Sequence, residues 1–119
     1  MKLTPAILKN LYSTIYCCHP FTRWKMPLPE EIKFEVIQDK AAYGYYMYDE
    51  GDEYAHTIQI SSAMCGHFST LLRTMCHEAI HMSRWANARE RWNHHDKEFR
   101  RRCKLVGDEF GLDLSLIHI

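Results

Sequence analysis

The chain has 119 residues, of which 46% are hydrophobic and 25% charged, a balance that excludes a disordered polyelectrolyte and suits a modest single core. Fifteen basic and fifteen acidic residues cancel, so net charge points to neither a polyanion nor a membrane surface. No apolar run approaches the length of a membrane span. One domain over residues 1–119 is expected, with its core over about 4–111 and a tail from about 112.

Thr4-Pro5 reads as a helix cap followed by proline at the first helical position. Leu8, Leu11, Tyr12 and Ile15 recur at helical spacing, which predicts an amphipathic helix to about residue 17. Lys9 and Asn10 interrupt the stretch where a secretory signal core would need to be unbroken. Five cysteines, an odd count, then suggest free thiols and a reduced, cytoplasmic protein. Cys17-Cys18 lacks a second pair at ligand spacing, which argues against a cysteine zinc site. "CHPFTRWKMPLPEE" holds three of the four prolines and predicts a loop, wrapped over the core by Phe21 and Trp24.

A β region follows. Ile32, Phe34 and Val36 alternate with polar residues, as in a half-buried strand. The next two strand-forming runs flank an acidic, glycine-containing turn at Asp49–Glu53 and predict a hairpin. Gly44, inside the first arm, signals a bulge or a close backbone approach.

After Ile60 the period changes. Phe68, Leu71, Leu72, Met75, Ala79 and Met82 predict a helix capped near Ser69 and ending near residue 86. A last helix follows "RWANARERWN"; Asn93 can cap it, Asp96 stands three residues later as in a capping box, and Gly111 ends it. The expected fold class is α+β: an N-terminal helix, a three-stranded antiparallel-type sheet and two further helices.

Inside the second predicted helix lies "HEAIH". Residues four apart share a helix face, so His77 and His81 can direct their imidazoles at one zinc ion. Glu78, rotated by about 100°, is placed to act as general base on a water activated by the metal. A catalytic zinc needs a third protein ligand. Counting back four from Phe99, on the apolar face of Phe99, Cys103, Val106 and Phe110, gives His95, whereas His94 falls in line with Glu98 and Arg101 on the wet side. His95 is therefore favoured as third ligand, with His94 the alternative. His19, His56, His67 and His118 have no partner at ligand spacing and read as ordinary histidines.

These parts, "AYGYY", "TIQISS", "HEAIH" and "HHDKEF" in that order, resemble a SprT-like zinc metalloprotease domain, the SprT/Spartan family, over roughly residues 4–111. The resemblance implies a small zincin-like domain that cleaves protein or peptide substrates, with His77, His81 and His95 on Zn2+ and Glu78 as catalytic base. Asp96 stands where that family usually has glycine, and could shape the backbone at the third ligand or supply an outer carboxylate. DNA-associated substrates come with the resemblance, although the match is expected to cover only the minimal catalytic domain, without the C-terminal zinc ribbon or the DNA-binding extensions of family members.

Two features remain to be weighed. Between Arg84 and Lys104 lie eight basic residues (Arg84, Arg89, Arg91, Lys97, Arg100, Arg101, Arg102, Lys104) against Glu90, Asp96 and Glu98, a net +5 that the rest of the chain offsets. With Trp85 and Trp92 this cluster offers a weak DNA contact, but a solvated helix face is the favoured reading. Tyr43, Tyr45, Tyr46 and Tyr48 either fill the two faces of the sheet or line an edge that binds an extended peptide, with one phenol near the oxyanion. The rival function is a non-catalytic, zinc-stabilised module that binds nucleic acid or protein.

Overall fold

The computed structural model describes residues 2–85 and 94–114. Helix α1 (Pro5–Tyr16) starts at Thr4, whose hydroxyl accepts from the Ile7 amide at 3.2 Å. Pro5 occupies the first helical position, where its missing N–H leaves no bond unmade. Leu8, Tyr12 and Ile15 form the buried stripe. The Tyr12 hydroxyl donates to the Pro27 carbonyl at 2.7 Å, tying the proline-rich loop to the helix. Phe21 is buried in that loop and packs against Trp24 and Phe110.

Strands β1 (Ile32–Ile37), β2 (Gly44–Tyr48) and β3 (His56–Ser61) form a sheet in the order β1-β3-β2. β2 and β3 are the antiparallel hairpin, but β1 runs parallel to β3, so the expected antiparallel-type sheet is corrected to a mixed one. Residues 38–43 carry the chain across the end of β3, about 10 Å or two strand spacings. The crossing is pinned there: the Ser62 amide donates to the Ile37 carbonyl and the Ser61 amide to the Tyr43 carbonyl, both at 2.8 Å. The Ser61 hydroxyl adds a bond to the Asp39 carbonyl. β3 thus inserts between its two predecessors, and five of its six residues are buried.

Paired rows cross the sheet. Phe34, Ile58 and Tyr46 share one row and face the helices, while Lys33, Thr57 and Met47 share the next and face outward. Helices α1 and α2 (Phe68–Ser83) cover the inner face, and α3 (Lys97–Phe110) packs on α2. The result is a small α+β architecture with three helices of more than one turn among the described residues. Leu112 and Leu114 pack against the same core.

α2 is the pivot. From Thr74 to Ser83 every residue is buried, because the sheet, α1 and α3 enclose it on several sides. It starts one residue before Ser69, after His67, and no side chain caps it. It ends at Ser83 with Arg84 as C-cap, short of residue 86, which lies outside the described residues. Gly44 meets it closely: a Cβ there would lie 2.6 Å from the Gln59 carbonyl oxygen and 3.1 Å from Thr74 Cγ2. The glycine therefore marks a close approach of β2 to α2 and not a bulge.

α3 begins at Lys97. Its N-cap is Asp96, whose carboxylate accepts from the Phe99 amide at 3.0 Å, whereas Asn93 lies outside the described residues. Asp96 is thus the cap itself and not the reciprocal acid of a capping box. Gly111 closes α3 at φ 71°, a left-handed conformation that glycine adopts without strain.

Candidate metal centre

His77 and His81 project from the buried middle and end of α2, one turn apart. His95 sits two residues before α3, outside the helix, so the helical-face count that favoured it does not describe its backbone. Its imidazole converges with the other two nonetheless. His81 Nε2 lies 3.2 Å from His77 Nε2 and 3.1 Å from His95 Nε2, and the three donors fall within 4.8 Å of one another. His77 and His81 are buried and His95 is exposed.

This donor set fits a metal ion. Nitrogens at about 2.0–2.1 Å from a tetrahedral zinc stand about 3.3–3.4 Å apart, close to the separations found here. Three imidazolium charges could not share so small a volume, so the nitrogens either turn lone pairs on a cation or hydrogen-bond one another, an N–H donating to a lone pair. The group could therefore hold a metal ion, and imidazole donors suit zinc, copper, iron and nickel alike. His94 is exposed and takes no part in the cluster. His56 is buried at the start of β3 and hydrogen-bonds the Tyr46 hydroxyl through Nδ1 at 2.8 Å. His19 and His67 are exposed, and His118 lies outside the described residues.

Phe99 organises the cluster from below. Its ring stacks on His81, with centroids 4.2 Å apart, and stands 4.8 Å from His95 and 5.2 Å from His77. The apolar stripe of α3 places Phe99 in the core; only the tertiary structure shows that one ring touches all three imidazoles.

Glu78 is buried on the same helix. Burial alone pushes its carboxyl up to about 8, because the charged form loses its hydration. A cation at the imidazoles pulls the other way. The charge of Glu78 is the last of the influences that raise the Tyr45 phenol, after the hydrogen bond to Asp39, burial and the charge on Asp39. Tyr45 donates to Asp39 Oδ2 at 2.6 Å on the exposed side of β2, which is an edge strand.

The four tyrosines divide between the readings the sequence left open, and Tyr43, partly buried, packs against the core. Tyr46 is buried, and Tyr48 stacks on Trp85 with centroids 5.3 Å apart, so both serve packing. Tyr45 and Met47 are exposed along the edge. Trp85 also packs on His56, at 4.9 Å, and so closes the core beside α2.

Much of the basic segment turns out to be structural. Arg84, buried, pairs with Asp96, and Arg102, buried, donates to Glu98, to the Ser83 carbonyl and to the Ser83 hydroxyl. Arg102 also lies over the Trp24 ring, 4.6 Å from its centroid. Arg101 pairs with Glu98 and Lys104 with Asp108 on the exposed face. Arg89, Arg91, Glu90 and Trp92 lie outside the described residues.

Fold and site together define a small α+β domain in which a buried helix and the residues just before α3 bring three histidines to a point able to hold a metal ion. The chain belongs to the SprT-like family, whose family model matches residues 18–118. Membership points to a metalloprotease-type domain. No curated protein and no solved structure matches the chain. Among the described residues no helix is long and apolar enough to cross a membrane, and all five cysteines are free.

Proposed function

We propose that this protein is a zinc-dependent endopeptidase of zincin-like architecture, with His77, His81 and His95 as the zinc ligands and Glu78 as the general base. The observation that carries the reading is the convergence of three imidazole nitrogens beside a buried carboxyl on the same helix. A structural site fills all its positions with protein groups, whereas a hydrolytic one keeps a position open. His95 is exposed, which leaves the cluster approachable from solvent.

A zinc ion held there supplies Lewis acidity, which makes water a competent nucleophile at neutral pH and polarises a carbonyl. Glu78 takes the proton of the attacking water and returns it to the leaving nitrogen. Strand β2 is an edge of the sheet among the described residues, where an extended peptide can add as a further strand. Tyr45, exposed on that strand, is the phenol nearest in role to an oxyanion donor.

The substrate class is protein or peptide, with DNA-associated proteins the narrower reading. A DNA contact would fall on the exposed Lys97, Arg100, Arg101 and Lys104, since Arg84 and Arg102 are buried in the helix packing.

Glu78→Gln tests the proposal against a binding module. Zinc content, measured by atomic absorption, should be unchanged. Cleavage of a protein mixture that includes DNA-bound basic proteins, followed on gels, should disappear in the variant and in chelator-treated parent. Cleavage that survives Glu78→Gln would remove that carboxyl from the chemistry.

A further inference from the structure

The three imidazoles are not supported alike. His77 and His81 hang from the hydrogen-bonded backbone of α2. His95 precedes α3, is exposed, and belongs to no helix. What places it is the residue next to it. Asp96 Oδ1 accepts from the Phe99 amide at 3.0 Å and also from Arg84 Nη1. One oxygen thus joins the first turn of α3 to the last residue of α2's cap.

Arg84 is suited to hold that oxygen. Its side chain is only 8% exposed, its guanidinium is planar and permanently charged, and its backbone N–H bonds the His81 carbonyl at 3.1 Å. The link therefore runs from the carbonyl of one candidate ligand, His81, through Arg84 and Asp96, to the residue adjoining another, His95. Consecutive Cα atoms are about 3.8 Å apart, so a rotation at Asp96 displaces the His95 ring directly. A second bracket, Arg102 to Ser83, fixes the same two helices six residues further along the chain.

From this we infer that Arg84 and Asp96 form a positioning pair that holds His95 against His77 and His81, and so set the affinity of the site for its metal. The inference rests on reading the three imidazoles as a metal site. It requires no chemistry from Asp96: the carboxylate acts through the backbone of its neighbour.

The competing account is that Asp96 merely caps α3. Asn caps as well as Asp but cannot form the ion pair, so Asp96→Asn separates the two roles. Arg84→Met removes the charge while keeping an apolar stem in the buried site. Zinc Kd would be measured by competition with a chromogenic chelator for the parent, both single variants and the double variant. The visible absorption of the cobalt-substituted proteins and the melting of the metal-free proteins would be recorded alongside.

Each single variant should weaken zinc by about 10-fold or more, the range for changes just outside a ligand set. The double variant should be no worse than the weaker single one, and the cobalt spectrum should change with loss of the third nitrogen. Arg84→Lys, which keeps the charge, should recover part of the affinity. Single variants that bind zinc as tightly as the parent, with an unaltered cobalt spectrum, overturn the pair's role and leave the metal site intact. Losses that simply add in the double variant also overturn it, since a pair acts once. A parent that takes up no stoichiometric zinc overturns both this inference and the reading beneath it.

Discussion

The two halves of the candidate site are built by different physics. His77, Glu78 and His81 take their places from the helical repeat, inside a helix enclosed by the sheet, α1 and α3. His95 takes its place from contacts between elements: the Arg84–Asp96 pair, the cap at Phe99, and the ring of Phe99 itself. One half is local and survives wherever α2 folds. The other exists only once α3 has docked. Losing a ligand from α2 should therefore leave the fold intact and remove the metal, whereas loosening α3 should cost stability and metal together.

The largest effect is expected from His81→Ala. It removes the central nitrogen, the one within 3.2 Å of both others. Zinc affinity should fall at or beyond the upper end of the roughly 10–100-fold range seen for outer contacts, with metal-free melting little changed. His94→Ala, as control, should leave zinc binding unaltered. If His94→Ala weakens zinc and His95→Ala does not, the third ligand has been misassigned.

Next in size comes Phe99→Ala. Removing a fully buried ring should lower unfolding free energy by about 3–5 kcal/mol in denaturant titrations. Zinc affinity should fall with it, because the three imidazoles lose the surface they share. A stability loss with unaltered affinity would show that α2 and the Arg84–Asp96 link suffice without the ring.

The smallest effect belongs to Glu98 on the rim of α3. Its hydrogen bond to Arg101, then that to Arg102 and both positive charges, hold its carboxyl down at about 2, against burial. A carboxyl depressed on folding adds stability above its ordinary 4.5, and that stability is lost as pH falls through about 2. The pair with Arg101 is solvent-exposed and screened, so Glu98→Gln should cost no more than about 1 kcal/mol at neutral pH and nothing below about pH 2. Denaturant titrations at pH 7 and in acid measure the difference.

The same division explains what could be read from the chain. The Thr4 cap, the buried stripe of α1, the hairpin around Asp49–Glu53, the body of α2 and the glycine stop at Gly111 all follow from local patterns, and the structure contains each of them. The direction of β1 does not. Alternation along Ile32, Phe34 and Val36 reports which face is buried, not which way the neighbouring strand runs, and only the crossing at residues 38–43 decides it. In the sequence, the start of α3 reads with Asn93 as cap and Asp96 as the reciprocal acid. Asp96 is the cap, and one of its partners, Arg84, lies twelve residues away, beyond the reach of a local pattern. Arg84 and Arg102 read as solvated charges for the same reason: their carboxylate and carbonyl partners are distant in sequence or on another helix. His95 was singled out by a helical count that does not apply to its backbone, yet its imidazole does meet the other two.

The ring of Phe99 has one further consequence. It covers one flank of the imidazole trio with hydrocarbon, and α2 carries two of the three rings in its buried length, while His95 is exposed among the described residues. An ion, water or polypeptide can therefore reach the trio by the doorway at His95.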